Sequence, residues 1–161
     1  MKHVIVKAKV NSETIKGLDD EQLEALVYEK ACQLDSGTFG ERFTRSEGHV
    51  LLCEIFATAV LDGEVHNGGF DQFFYQDSRL LPFAVEGLKK IGAGAHAELL
   101  ARAANIYAEN EGRKEPANDT DEGDSGRIHE LDPLDDEYYA LEETFPLRVR
   151  FVRANIEKFF D

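Results

Sequence analysis

Long apolar runs are missing from this 161-residue chain, and no stretch approaches the roughly 18 residues that cross a bilayer. Cysteine is scarce. Cys32 falls in an apolar pattern with Val27, Ala31 and Leu34, and Cys53 in one with Val50, Ile55 and Phe56. Both are therefore expected as small buried hydrophobes, not as a disulfide or a redox pair. No cysteine pair and no histidine pair stands at ligand spacing, and His49, His96 and His129 are scattered, so neither a metal nor a cofactor is expected. Basic residues are outnumbered, 18 Lys and Arg against 32 Asp and Glu, which leaves a net charge of −14. Direct nucleic-acid binding is thereby disfavoured, because phosphates need a basic surface. The opening MKHVIVKAKV lacks a small-residue cleavage site and has a lysine-interrupted apolar part, so it fails as a signal peptide. A cytoplasmic location is the expectation.

What is present suits one domain. Apolar content is 42%, and a chain of this length buries roughly 70% of its unfolded surface. Residues 3–10 alternate, with Val4, Val6, Ala8 and Val10 opposite Lys7 and Lys9, the pattern of a strand. No second strand pattern is found, so residues 1–16 are expected as an N-terminal strand or extended arm, with pairing to a second copy in a homodimer left open. Residues 17–161 read as helices. Asp19 or Asp20 caps a helix bearing Leu23, Leu26, Val27, Ala31 and Leu34 that ends near Gly37. A bridge with Phe39 and Phe43 leads to a helix capped by Ser46. Its residues Val50, Leu51, Ile55, Phe56, Ala59 and Val60 leave little polar face, which predicts a central buried helix. Pro82 opens a helix with Phe83, Leu88 and Ile91, closed by Gly92. Another runs from about Ala95 to Asn110. Residues 112–134, broken by glycines and prolines, read as a long acidic loop. Helices over Asp135–Phe145 and from Pro146 complete an all-α domain of six or seven helices.

The stretch EVHNGGFDQFF, Glu64 to Phe74, is hard to explain as generic helix. Gly68 and Gly69 permit backbone conformations that side chains with a Cβ resist. Phe70, Phe73 and Phe74 fall at i, i+3 and i+4 and share a helical face. A tight turn feeding an aromatic-anchored helix is the expectation. Asp62, Glu64, His66, Asn67 and Asp71 crowd beside it, residue types from which a hydrolase or metal-dependent enzyme using Glu64, His66 and Asp71 could be built. Against this, Asn67 and Asp71 are natural turn and cap residues, and Glu64 is placed to satisfy N–H groups at the new helix start. No nucleophile–base pair is visible, and Ser78 has no obvious partner. Gly92-Ala93-Gly94 lacks the strand and lysine of a phosphate loop. A non-enzymatic protein is the expectation.

The run Glu64, Asn67, Gly68, Gly69, Phe70, Gln72, Phe73 or Phe74 and Ser78 resembles the bacterial DNA-mimic protein family. Ile91-Gly92-Ala93, Ala97, Leu99, Leu100, Asp135, Tyr138, Tyr139 and the Phe151 to Phe159 helix extend the resemblance over about residues 20–161. Gln76 stands where an asparagine is common, and the acidic insertion at 112–134 is a further departure. The resemblance implies an acidic all-helical protein that occupies the basic surface of a DNA-binding protein or transcription regulator. Charge distribution agrees with a basic partner: twelve carboxylates lie between Glu115 and Glu143 against Arg127 alone. A mimic must hold carboxylates rigidly, at phosphate-like spacing. Asp135, Asp136, Glu137, Glu142 and Glu143 on helix, with Asp132 at the end of the acidic loop and Glu109 and Glu111 at the end of the preceding helix, are the candidate acidic surface. Glu64, Asn67, Gly68, Gly69, Phe70, Gln72, Phe73 and Phe74 are the candidate architectural motif. The alternative is a general protein-interaction or immunity-type module whose acidity serves solubility.

Overall fold

A computed structural model describes residues 12–34, 47–111 and 126–160, and every regular element among them is helical. The strand expected over residues 3–10 lies outside the described residues. Residues 12–16, assigned to the same arm, instead form α1 (Ser12–Lys16), whose Ile15 is fully buried. An apolar side chain that reaches the core turns this end of the arm into a helical turn. Asp19 then caps α2 (Asp20–Leu34): its Oδ1 accepts the Gln22 N–H at 2.8 Å, and Gln22 Oε1 accepts the Asp19 N–H at 3.1 Å. This is a reciprocal capping box. The bridge with Phe39 and Phe43, and Ser46, lie outside the described residues.

The central element is α3 (Glu47–Asp77), which packs against α2 and against most of the helices downstream of it. Leu51 to Thr58 are buried without interruption, as the nearly all-apolar pattern predicts. The 310 turn Ser78–Leu80 leads to α4 (Leu81–Lys90), with Pro82 in its first turn. Gly92, at φ +84°, closes it: the Ala93 N–H reaches Leu88 C=O at 2.8 Å and the Gly92 N–H reaches Lys89 C=O at 3.2 Å. Both bonds satisfy carbonyls that the helix end leaves open. α3 and α4 lie so close that a Cβ on Gly87 would stand 2.3 Å from the Glu54 backbone oxygen.

Next comes α5 (Gly94–Glu111), burying Leu99, Leu100 and Ala103. The acidic loop expected over 112–134 is corrected at its C-terminal end. Residues 112–125 are outside the described set, but Ile128, Leu131 and Leu134 are buried in the core. A 310 turn, His129–Leu131, runs into α6 (Asp132–Tyr139), with Pro133 in the first turn of the helix. A proline read as a breaker is here a helix starter, because a first-turn N–H has no intrahelical acceptor to lose. The helix expected to continue to Phe145 stops at Tyr139. After a linker, α7 (Phe145–Ala154) begins with Pro146 in its first turn, and α8 (Ile156–Phe160) comes next, across Asn155. The single-turn α1 and the α7/α8 division raise the number of helical segments, while the fold class stays all-α. No helix among the described residues is long and apolar enough to cross a membrane.

Candidate functional site

α3 is not continuous. Gly68 (φ −156°, ψ 21°) and Gly69 (φ 77°, ψ −177°) leave helical geometry and divide it into residues 47–67 and 70–77. The break strands backbone groups on both sides, as any helix terminus does. α6 supplies the partners. Asp135 Oδ1 accepts the Phe70 N–H at 2.8 Å, and the Tyr139 hydroxyl donates to the Val65 carbonyl at 2.6 Å. These two residues are four apart, so one face of α6 serves both sides. Gly69 is doubly required, since its φ is positive and a Cβ there would sit 2.2 Å from Asp135 Oδ2. Across the break, the Gln72 amide donates to Glu64 Oε2 at 2.7 Å. Phe70, Phe73 and Phe74 are all buried, with Phe70 edge-on to Tyr138 and Phe74 stacked on Tyr107.

Asp135 is thus corrected from surface carboxylate to buried cap, at 8% exposure. Burial pushes its carboxyl above the ordinary carboxylate value, partly offset by the Phe70 N–H. Glu64 is corrected too: it receives Gln72, while Asp135 serves the helix start. The remaining candidates divide by their partners. Glu137 receives two hydrogen bonds from Arg102, at 2.7 and 3.0 Å, which hold its carboxyl below the usual value. Asp132 is lowered likewise by Arg127 at 2.8 Å, with His129 beside it. Asp136, Glu142, Glu143 and Glu109 are exposed. Glu111 is the last residue of α5.

The same end of the molecule holds a polar cluster that sequence reasoning missed. Arg148 on α7, only 4% exposed, donates to Glu24 on α2 at 2.5 Å and to Thr144 Oγ1 at 2.6 Å, and lies 3.7 Å from Asp62 on α3. The Tyr138 hydroxyl donates to Asp62 at 3.0 Å, and burial beside that carboxylate drives the hydroxyl's ionisation far above its normal range. Buried His96 packs edge-on against Tyr138, and desolvation lowers it below the ordinary imidazole value. The available signal was an arginine set inside the apolar run Leu147, Val149, Phe151, Val152. An apolar groove lined by Leu23, Val27, Phe56 and Val149 adjoins the Arg148–Glu24 pair.

The residues suggested for catalysis are engaged separately. Glu64 binds Gln72; His66 Nδ1 lies 2.7 Å from the Asp62 carbonyl; Asp71 keeps one carboxyl oxygen buried with no hydrogen bond from the described residues. Among the described residues no three potential ligands group to hold a metal ion. Of the two cysteines, Cys53 is buried, but Cys32 is exposed, on the outer side of α2.

Comparison with known protein families gives a match. The sequence model of the DMP19-like protein family (DNA mimic protein 19-like) matches residues 51–155, a span running from within α3 to the end of α7. No curated protein and no solved structure matches the chain.

Proposed function

The chain belongs to the DMP19-like protein family, and from that premise we propose that it is a non-enzymatic, acidic protein-binding domain occupying the basic surface of a DNA-binding protein. One observation carries the reading: α6 is locked from behind. Leu134, Asp135 and Tyr138 point into the core, and Asp135 and Tyr139 are bonded to the broken α3. Asp136 and Glu137 on the outer side of α6, and Glu142 and Glu143 in the linker after it, are exposed carboxylates on that anchored framework. Charges held in advance lose little side-chain freedom on binding. A surface of this kind competes with DNA phosphates for lysine and arginine. The partner is a DNA-binding regulator, the site of action is the cytoplasm, and a homodimer is compatible with the reading.

The test is retention of proteins from a cytoplasmic extract on the immobilised chain, with elution by a salt gradient and, separately, by duplex DNA. Basic DNA-binding proteins that leave at moderate salt and are displaced by DNA are the expected result. Partners that resist salt and ignore DNA would make the chain a general interaction module, with acidity serving solubility.

A further inference from the structure

We infer that Tyr139, backed by His66, is an anchor for an arginine side chain, so that a partner meets this acidic face through a guanidinium and not through an ammonium. The inference rests on the proposed binding of basic proteins and specifies its chemistry. A surface tyrosine usually buries its ring and turns its hydroxyl to water. Tyr139 does the reverse. Its hydroxyl is bonded inward to the Val65 carbonyl at 2.6 Å, while the residue remains 47% exposed. The ring is therefore both accessible and fixed. Tyr28, equally exposed, packs its ring on Phe56.

The neighbours of Tyr139 suit a guanidinium. The His66 ring lies 5.4 Å away at an angle of 50°. Its Nδ1 is 2.7 Å from the Asp62 carbonyl, and because a carbonyl only accepts, Nδ1 carries the proton. In the neutral ring Nε2 is then an acceptor, on a side chain that is 56% exposed. Asp136, one turn earlier on α6, is an exposed carboxylate. Arg127, a cation of the chain itself that acts on Tyr139, is held by Asp132 at 2.8 Å. A planar guanidinium laid over Tyr139 has donors left for both His66 and Asp136. An ammonium is a point charge that cannot stack.

The experiment titrates the full chain with hexa-arginine and hexa-lysine peptides of equal charge, at physiological salt, by calorimetry. Wild type, Tyr139→Phe and Tyr139→Leu are compared. Stacking of one exposed ring is worth about two- to fivefold in affinity. Tyr139→Phe and Tyr139→Leu both lose the hydroxyl bond to Val65, so the ratio of the two affinities is the readout: the wild type and Tyr139→Phe should prefer hexa-arginine by that factor, and Tyr139→Leu should bind the two peptides alike. A preference that survives Tyr139→Leu, or equal binding of the two peptides by the wild type, overturns the anchor and leaves the acidic-surface reading standing. Binding of neither peptide overturns both. Should Tyr139→Leu fail to fold, the ring resonances of Tyr139 in the wild type decide, since an anchor requires them to shift on saturation with hexa-arginine.

Discussion

At Gly69 the backbone sits at φ +77°, and the space where a Cβ would go is filled by the Asp135 carboxylate. Gly69→Ala is expected to cost about 1–3 kcal/mol from conformation alone, and more because Asp135 must move. Gly68 differs. Its φ is −156°, and a Cβ there would meet the Gln72 amide, the end of a flexible side chain. Gly68→Ala should therefore be the milder change, and urea denaturation that ranked the two the other way would falsify this assignment of strain. Asp135 gives the complementary test. Asp135→Ala orphans the buried Phe70 N–H, a loss of about 1–3 kcal/mol. Asp135→Asn keeps an acceptor without a buried charge and should cost little, or stabilise. A carboxyl raised in the folded state adds most to stability below its unfolded value of 3.8, and that contribution is lost as pH rises through the folded value. Asn should remove this slope, which acid titration of unfolding reports. The break at Gly68 and Gly69 is legible locally, but the role of Asp135 is not. Asp135 looks like its neighbours Asp136 and Glu137 in the sequence, and the donor that claims it lies 65 residues away.

The elements themselves are more legible than their joints. The apolar pattern of α3, the Pro82 start and Gly92 end of α4, and the inward face of α5 obey rules of period and capping that act within one or two turns. Pro133 misleads because a first-turn proline and a loop proline differ only in the residues downstream, here a helix whose inward positions include the polar Asp135. Arg148 escapes sequence reasoning because its carboxylate partners come from α2 and α3, far away along the chain. Removing Arg148 leaves the partly buried Glu24 and Asp62 without their cation, although Asp62 keeps the Tyr138 hydroxyl, so Arg148→Ala should cost about 3 kcal/mol, the lower end for a buried pair, in denaturant titration. His96 tests the joint between α5 and the α6–α7 linker. It packs on Tyr138 and hydrogen-bonds the Glu142 backbone, and burial lowers its pKa despite the Asp62 and Glu142 charges. Between the depressed folded value and the ordinary 6.5 the unfolded chain binds the extra proton, so stability is full above 6.5 and is lost as pH falls below it. His96→Phe should flatten this part of the pH profile. An unchanged slope would place the histidine effect elsewhere.

For the whole molecule the deciding quantity is charge that is free to meet a partner, not charge in total. Of the −14, Asp135 is buried, and Asp132 and Glu137 are committed to Arg127 and Arg102. Asp136, Glu142 and Glu143 remain exposed on the anchored framework. Among the described residues their carboxyl groups make no hydrogen bond or ion pair, so the combined change Asp136→Asn, Glu142→Gln and Glu143→Gln should leave the melting temperature unchanged or raise it by easing self-repulsion. Binding should respond differently. Exposed pairs are worth about 0.2–1 kcal/mol each, so the triple change should weaken a DNA-competitive basic partner by roughly three- to a hundredfold at low salt. It should also flatten the dependence of affinity on salt, because fewer counterions and charges are exchanged. The two quantities must move together. Affinity lost with the salt slope intact would mean that the triple change disturbed an uncharged contact, and that the exposed carboxylates beside α6 are a solvated face and not the binding surface.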